Sequence, residues 1–128
     1  DGRSHIAIAW AAHGGMQVLF AQPIVAPGGG TVGVSLIHED ATEWLFPYMT
    51  ESVLDLPSSE ACLARQDGDS IQYLSPLRFG GPAAARLKLP FLAPGLAARH
   101  ALLGPDRVGR FRDYRGELVF AEEPVTVG

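Results

Sequence analysis

The chain has 128 residues, of which 47% are hydrophobic and 19% are charged, and its formal net charge is −4. This length suits one domain with a single hydrophobic core, and the composition excludes a disordered chain. The acidic balance leaves no broad basic surface, so nucleic acid is not an expected partner. The single cysteine, Cys62, excludes an internal disulfide and a multi-cysteine zinc site.

The sequence contains neither a membrane-spanning stretch of ~20 apolar residues nor a signal-peptide pattern. It begins at Asp1 rather than at a methionine, which we interpret as the mark of a fragment excised from a longer protein. We therefore expect a single domain, residues 1–128, with membrane segments of the longer protein outside both ends.

Three strands are predicted before residue 40. His5–Trp10 is short and apolar, Met16–Val25 follows a glycine break, and Thr31–Ile37 alternates with a period of two. Pro23 indicates an edge or a bulge near the end of the second strand. The segment Pro27–Gly30 is interpreted as a hairpin turn, because a phosphate-binding loop would be followed by a helix.

A helical segment and a second hairpin are predicted next. Asp40 and Glu43 have the spacing of a capping box at a helix start, and Pro47 predicts a kink or a restart. Glu60–Arg65 and Ser70–Ser75 are short runs separated by an Asp-Gly turn, which predicts two paired strands.

The remaining elements complete the predicted fold. Pro76–Pro94 is rich in Pro, Gly and Ala and predicts a long loop, where ligand contacts are frequent. Gly95–Leu103 has a helical stripe, and Val108–Tyr114 and Leu118–Val125 are strand-like. Strands and hairpins interrupted by helices, without βαβ repeats, predict an α+β fold with one antiparallel, PAS-like sheet.

No catalytic, metal or cofactor site is predicted. The histidines are dispersed and lack the spacing that places two ligands on one helix face. His38 and Asp40 could hold a metal weakly on an extended segment, but a strand end followed by a helix cap is the preferred interpretation. No serine stands in a nucleophile-elbow pattern. The four histidines are His5, His13, His38 and His100.

Aromatic side chains are the first candidates for a ligand pocket. A tyrosine or a tryptophan supplies apolar area together with a polar group, although packing in the core is the alternative for each of them. The aromatic candidates are Trp44, Tyr48, Tyr73 and Tyr114, with Trp10 considered beside them.

Two arginines are the polar candidates. The planar fork of Arg78 matches a carboxylate, and a surface arginine is the alternative. Its replacement by alanine is expected to abolish the response to an anionic ligand and to leave the fold intact. Asp113 and Arg115 flank Tyr114 beside Gly116, where they either contact a ligand or fix the turn; we favour the structural role for Asp113.

Two motifs carry a resemblance to a known family. YLSPLR at Tyr73–Arg78 and DYRG at Asp113–Gly116 each adjoin a predicted strand. They occur in the order DGDSIQYLSPLR, a loop, a short helix with LAARHALLG, and FRDYRGELVFAEEPV. In this the chain resembles the second half of the extracytoplasmic Cache-type, PAS-like (PDC) sensor domains of bacterial histidine kinases, diguanylate cyclases and chemoreceptors.

The resemblance implies a central antiparallel sheet flanked by short helices and a long loop. It also implies a periplasmic place in an inner-membrane receptor and a small-molecule ligand such as a carboxylate or an amino acid. Binding would change the domain's shape and bias an output domain outside this chain. The family's long N-terminal helix, which helps to form a dimer, would lie outside the chain. Alternatives are a ligand-free interaction or homodimerisation module and a small soluble enzyme.

Overall fold

The protein is represented by a computed structural model that describes residues 2–10, 15–52, 56–80, 86–104 and 108–121. Its contacts divide the chain into an N-terminal unit, which contains the described residues up to Glu51, and a C-terminal unit, which contains those from Ser52. His13 and the side chain of Trp10 lie outside the described part.

The N-terminal unit is built on a sheet of three antiparallel strands in the order β1-β2-β3. The strands are β1 (His5–Trp10), β2 (Met16–Val25) and β3 (Thr31–Asp40). These confirm the three predicted strands, and β3 continues three residues beyond the predicted end at Ile37. Because β2 pairs with a strand on each side, Phe20 lies opposite both Ile6 and Ile37.

Pro23 occupies the part of β2 that has a neighbour on one side only. The pairing of β1 with β2 ends at His5 and Ala21, whereas the pairing with β3 continues and shifts its register between Ile24 and Val25. A proline, which lacks the N–H that a central strand donates, is accommodated at such a position. The predicted edge and irregularity are both confirmed.

The connection between β2 and β3 is a turn, as predicted. Ala26 N donates to Gly30 O at 2.8 Å, and Gly29 N donates to Ala26 O at 2.9 Å. Gly29 has a φ of +89°, a conformation that glycine adopts without the steric cost of a side chain.

The helix after β3 begins later than the capping-box spacing predicts. Asp40 Oδ1 accepts hydrogen bonds from Thr42 N at 2.8 Å and from Thr42 Oγ1 at 2.6 Å, so Asp40 stabilises a turn. The helix α1 (Leu45–Ser52) starts after that turn. Pro47 is its third residue, where a missing N–H breaks no intrahelical bond. The predicted helix start at Asp40 is wrong, and α1 runs through Pro47 as one helix rather than restarting there.

The C-terminal unit contains five described strands and one helix. Three strands form an antiparallel sheet in the order β4-β5-β6, and two form a separate hairpin. Leu118–Val125 is confirmed as a strand up to Ala121, and the rest of that range lies outside the described residues. The elements are β4 (Ala64–Asp67), β5 (Ser70–Tyr73), β6 (Lys88–Pro90), α2 (Ala97–Leu103), β7 (Gly109–Arg112) and β8 (Leu118–Ala121).

The segment Pro76–Pro94 is not one continuous loop, which corrects the prediction. Part of it forms β6, in which Leu89 lies opposite the fully buried Ile71 of β5. Leu87 and Leu89 both pack against the core, and this apolar contact explains why the chain returns to the sheet there. Residues 81–85 of the segment lie outside the described ranges.

The fold class is α+β, with antiparallel sheets and two short helices. The described strands form three sheets rather than the single predicted one. In the C-terminal unit, the strands are only three or four residues long, so each offers few partners for a wider sheet. In the described part of the chain, no helix is long and apolar enough to cross a membrane.

The core of the C-terminal unit lies where the YLSPLR motif meets the start of α2. Ile71, Tyr73, Leu77 and Leu96 are buried together. Leu96 also forms an isolated parallel bridge to Arg112, which ties the start of α2 to β7. The core therefore fixes the elements that carry the two motifs.

Candidate functional site

Tyr114 connects three segments of the C-terminal unit. Its hydroxyl donates to Glu60 Oε2 at 2.8 Å and accepts from Phe79 N at 3.1 Å. The other oxygen of Glu60 accepts from the backbone N–H of Arg78. One phenol and one carboxylate thus join the segment before β4, the turn after Leu77 and the β7–β8 hairpin. We call Glu60, Tyr73, Arg78, Phe79, Asp113, Tyr114 and Arg115 the Tyr114 cluster.

Tyr73 supports this cluster from the core. Its side chain is buried, and its ring meets that of Tyr114 in a T-shaped arrangement with centroids 5.6 Å apart. Such an aromatic pair is stabilising beyond the area that it buries. Burial, the largest cause, raises the pKa of Tyr73. Tyr73 therefore orients Tyr114 rather than presenting a surface to solvent.

Arg78 holds the backbone of the segment before β4. Its Nη1 donates to Ser59 O at 2.8 Å and to Leu56 O at 3.3 Å. These bonds use one nitrogen of an exposed guanidinium, while Nε and Nη2 have no acceptor among the described residues. The side chain thus combines a structural contact with free donors.

Asp113 fixes the turn between β7 and β8, as the structural interpretation predicted. Its Oδ1 accepts from the backbone N–H groups of Arg115 at 2.8 Å and of Glu117 at 3.0 Å. Its Oδ2 lies 2.6 Å from Arg115 Nη2. Gly116, with a φ of +82°, donates its N–H to Asp113 O at 3.0 Å. Arg115 is consequently held in place and is partly neutralised.

Phe79 is the exposed aromatic surface of the cluster. The guanidinium carbon of Arg115 lies 4.2 Å from the ring centroid, and that of Arg78 lies 5.6 Å from it. Both distances are within the range of a cation–π contact. The ring is 39% exposed, so an apolar wall with two guanidinium groups faces solvent.

The phenol of Tyr114 and the nearby thiol of Cys62 both have raised pKa values. The Cys62 residue as a whole is exposed, but desolvation of its thiol, followed by the charges of Glu60 and Asp113, raises its pKa to about 12. Burial of the phenol and its hydrogen bond to Glu60 raise the pKa of Tyr114 to about 12. Near neutral pH both groups keep their protons, whereas a nucleophilic cysteine needs a lowered pKa.

The six predicted ligand residues divide between the two units. Tyr73, Arg78, Tyr114 and Arg115 come together in the Tyr114 cluster. Trp44 and Tyr48 belong to the N-terminal unit. There the ring of Trp44 packs against that of Phe20, with the two ring centroids 6.4 Å apart. Tyr48 is 66% exposed.

Sequence reasoning missed Glu60 and Phe79. Glu60 lies 54 residues before the tyrosine that it binds, and no local pattern marks it. Phe79 directly follows Arg78, and its position next to the YLSPLR motif was the one available signal.

The N-terminal unit contributes a second feature, an open groove of about 270 Å³ on one face of its sheet. The groove is lined by Gly2, Arg3, His5, Ala21, Pro23, Thr31 and Val34.

Among the described residues, no group of three His, Cys, Asp or Glu side chains could hold a metal ion. The Nδ1 atom of His38 lies 3.3 Å from Gln17 Oε1.

Comparisons of the chain with protein-family models, with curated proteins and with solved structures found no match. The Cache-type resemblance stays a prediction that rests on the two sequence motifs and their order.

Proposed function

We propose that the chain is a Cache-type, PAS-like sensing domain on the periplasmic side of a bacterial transmembrane receptor, with its ligand site at the Tyr114 cluster. The observation that supports this proposal is the convergence of YLSPLR and DYRG. Four of the six predicted ligand residues, from motifs 35 residues or more apart, come together in the Tyr114 cluster, three of them beside Phe79. In this proposal the chain carries no catalytic activity, and the output lies elsewhere in the receptor.

The charges of the cluster favour a small carboxylate or an amino acid as the ligand. Arg78 offers the free edge of its guanidinium, and a planar fork binds a carboxylate through two parallel hydrogen bonds. Arg115 is already paired with Asp113, so it contributes mainly by its stacking on Phe79. Arg78 is therefore the principal polar contact, and Phe79 is the apolar wall.

A signalling step follows from the second role of Arg78. A carboxylate that attracts its guanidinium competes with the carbonyl groups of Ser59 and Leu56 for the same side chain. The segment before β4 is then held differently in the bound and free states. A ligand shifts a conformational equilibrium only through such a difference in affinity for the two states.

The test is a screen of the chain against small carboxylates, amino acids and the matching amides, with the thermal unfolding temperature as the readout. A ligand that binds the folded state raises this temperature with concentration. NMR titration of a hit then maps its site. We expect shifts at Phe79, Arg78 and Tyr114 and no effect of the amides. Shifts confined to the N-terminal unit would contradict the proposed site.

One observation favours a second candidate function, a ligand-free interaction module. Val32, Val34 and Leu36 of β3 are 70%, 63% and 60% exposed. Such a row of apolar side chains is typical of a surface that docks against another protein. This candidate predicts association without ligand.

A further inference from the structure

Among the described strands, β3 forms one edge of the N-terminal sheet. It is ten residues long, lies at the end of the described strand order, and has eight exposed residues. It contains no proline and no lysine, and its only carboxylates are Glu39 and Asp40 at one end. Proteins usually protect an edge of this kind, because its unpaired backbone groups are a template for another strand, and lysine and proline are common means. The one irregularity of β3 lies near its start, where the register shift leaves Val32 without a partner on β2.

Both faces of β3 present apolar side chains. Val32, Val34 and Leu36 lie on one face because side chains alternate along a strand, and each is at least 60% exposed. Ile37, on the opposite face, is 55% exposed. The exposed edge of the sheet therefore carries apolar side chains on both faces.

We propose that β3 pairs antiparallel with β3 of a second copy of this chain, about a twofold axis that passes through Ser35 perpendicular to the sheet. The two three-stranded sheets then become one sheet of six strands. Because directly opposite residues share a face, Val34 of each copy meets Leu36 of the other, and the two apolar rows merge. The inference does not depend on the proposed ligand site.

Charge and symmetry favour a second copy of this chain as the partner that pairs with β3. In this register, the acidic end of each strand, Glu39 and Asp40, lies beside the uncharged start of the other. A parallel pairing in register would instead place like carboxylates beside each other, which is destabilising. The strand is complementary to itself, and its partner is always present at the same concentration.

Engineered cysteines test the register directly. In a Cys62→Ser background, Ser35→Cys places two thiols next to the twofold axis, and mild oxidation is expected to give a covalent dimer. Gln22→Cys is the matched control, because Gln22 pairs with Ser35 on the same face but one strand further from the axis. Equal cross-linking of the two variants, or none in either, would overturn the proposal.

Sedimentation velocity without ligand gives the second readout. We expect the sedimentation coefficient to rise with protein concentration and Leu36→Lys to remove that rise, because a lysine at the edge opposes pairing. Ile24→Lys adds the same charge on the neighbouring strand and is expected to keep the dimer. A chain that stays monomeric up to high micromolar concentration would overturn the proposal. If Leu36→Lys does not fold, as judged by circular dichroism, the cysteine pair decides alone.

Discussion

Tyr114 is both donor and acceptor at the centre of the cluster, so its hydroxyl is the first group to remove. Tyr114→Phe removes the donor to Glu60 Oε2 and leaves the Phe79 N–H without its acceptor, and we expect a loss of about 1–2 kcal/mol in the free energy of unfolding. Urea unfolding measures this loss. A loss of less than about 0.5 kcal/mol, which is the usual range for a surface substitution, would contradict a supporting role for this hydroxyl.

A double-mutant cycle tests whether Tyr114 acts through Glu60. Combined with Glu60→Ala, the Tyr114→Phe change is expected to cost less than it does alone, with a coupling energy of at least about 0.5 kcal/mol, because the two residues share one hydrogen bond. Strict additivity would mean that the hydrogen bond contributes nothing.

The Cys62 thiol is expected to react slowly with alkylating reagents. Its raised pKa leaves less thiolate at about pH 8 than an unfolded cysteine has, and we expect alkylation to be at least ~10 times slower in the folded protein than in urea. Mass spectrometry gives both rates. Glu60→Gln removes a negative charge beside the thiol and is expected to accelerate the reaction. Equal rates in folded and unfolded protein would contradict this environment for the thiol.

Single residues show what could be read from the sequence and what could not. The planar fork of Arg78 and the position of Tyr114 in its motif identified both as site candidates. The partner of Tyr114 is Glu60, which is distant in the chain, so only the folded structure reveals the pairing. The same holds for the carbonyl groups that Arg78 binds.

The segment before β4 is held by Arg78, which changes the outcome expected for its removal. The sequence suggested that Arg78→Ala leaves the fold intact; the two hydrogen bonds to Ser59 and Leu56 indicate a loss of stability of about 1 kcal/mol as well. Urea unfolding tests this. Arg110→Ala removes another exposed arginine, on β7, and is expected to be neutral. Equal stability of both variants would show that the two bonds do not support the segment.

The strands were predicted best where the apolar segments were long. The three strands of the N-terminal unit span six to ten residues. Alternation identified β3, and apolar runs bounded by glycine identified β1 and β2. β6 was missed because it is three residues long and lies within a segment rich in proline and glycine. Its formation depends on burial of Leu89 against β5, a tertiary contact that local propensity does not reveal.

The molecule as a whole is expected to lose stability at alkaline pH. The pKa values of Cys62 and Tyr114 rise on folding from 9.0 and 10.0 to about 12 in each case. A raised pKa means that the unfolded state loses its proton first, so the contribution to stability is complete below about pH 9 and declines as the pH rises toward about 12. Urea unfolding across this range measures the slope. A Cys62→Ser, Tyr114→Phe double variant should show a weaker decline, and an unchanged decline would assign it to other groups.

The measurement that tests the sensor proposal most directly is a calorimetric titration of the ligand identified by the screen into Arg78→Lys and Arg110→Lys. Both variants keep the positive charge and remove a planar fork, and only the first lies in the Tyr114 cluster. We predict at least ~10-fold weaker binding for Arg78→Lys and unchanged binding for Arg110→Lys, since a lysine does not reproduce the paired hydrogen bonds. Equal affinity in both variants would contradict a carboxylate site at the Tyr114 cluster.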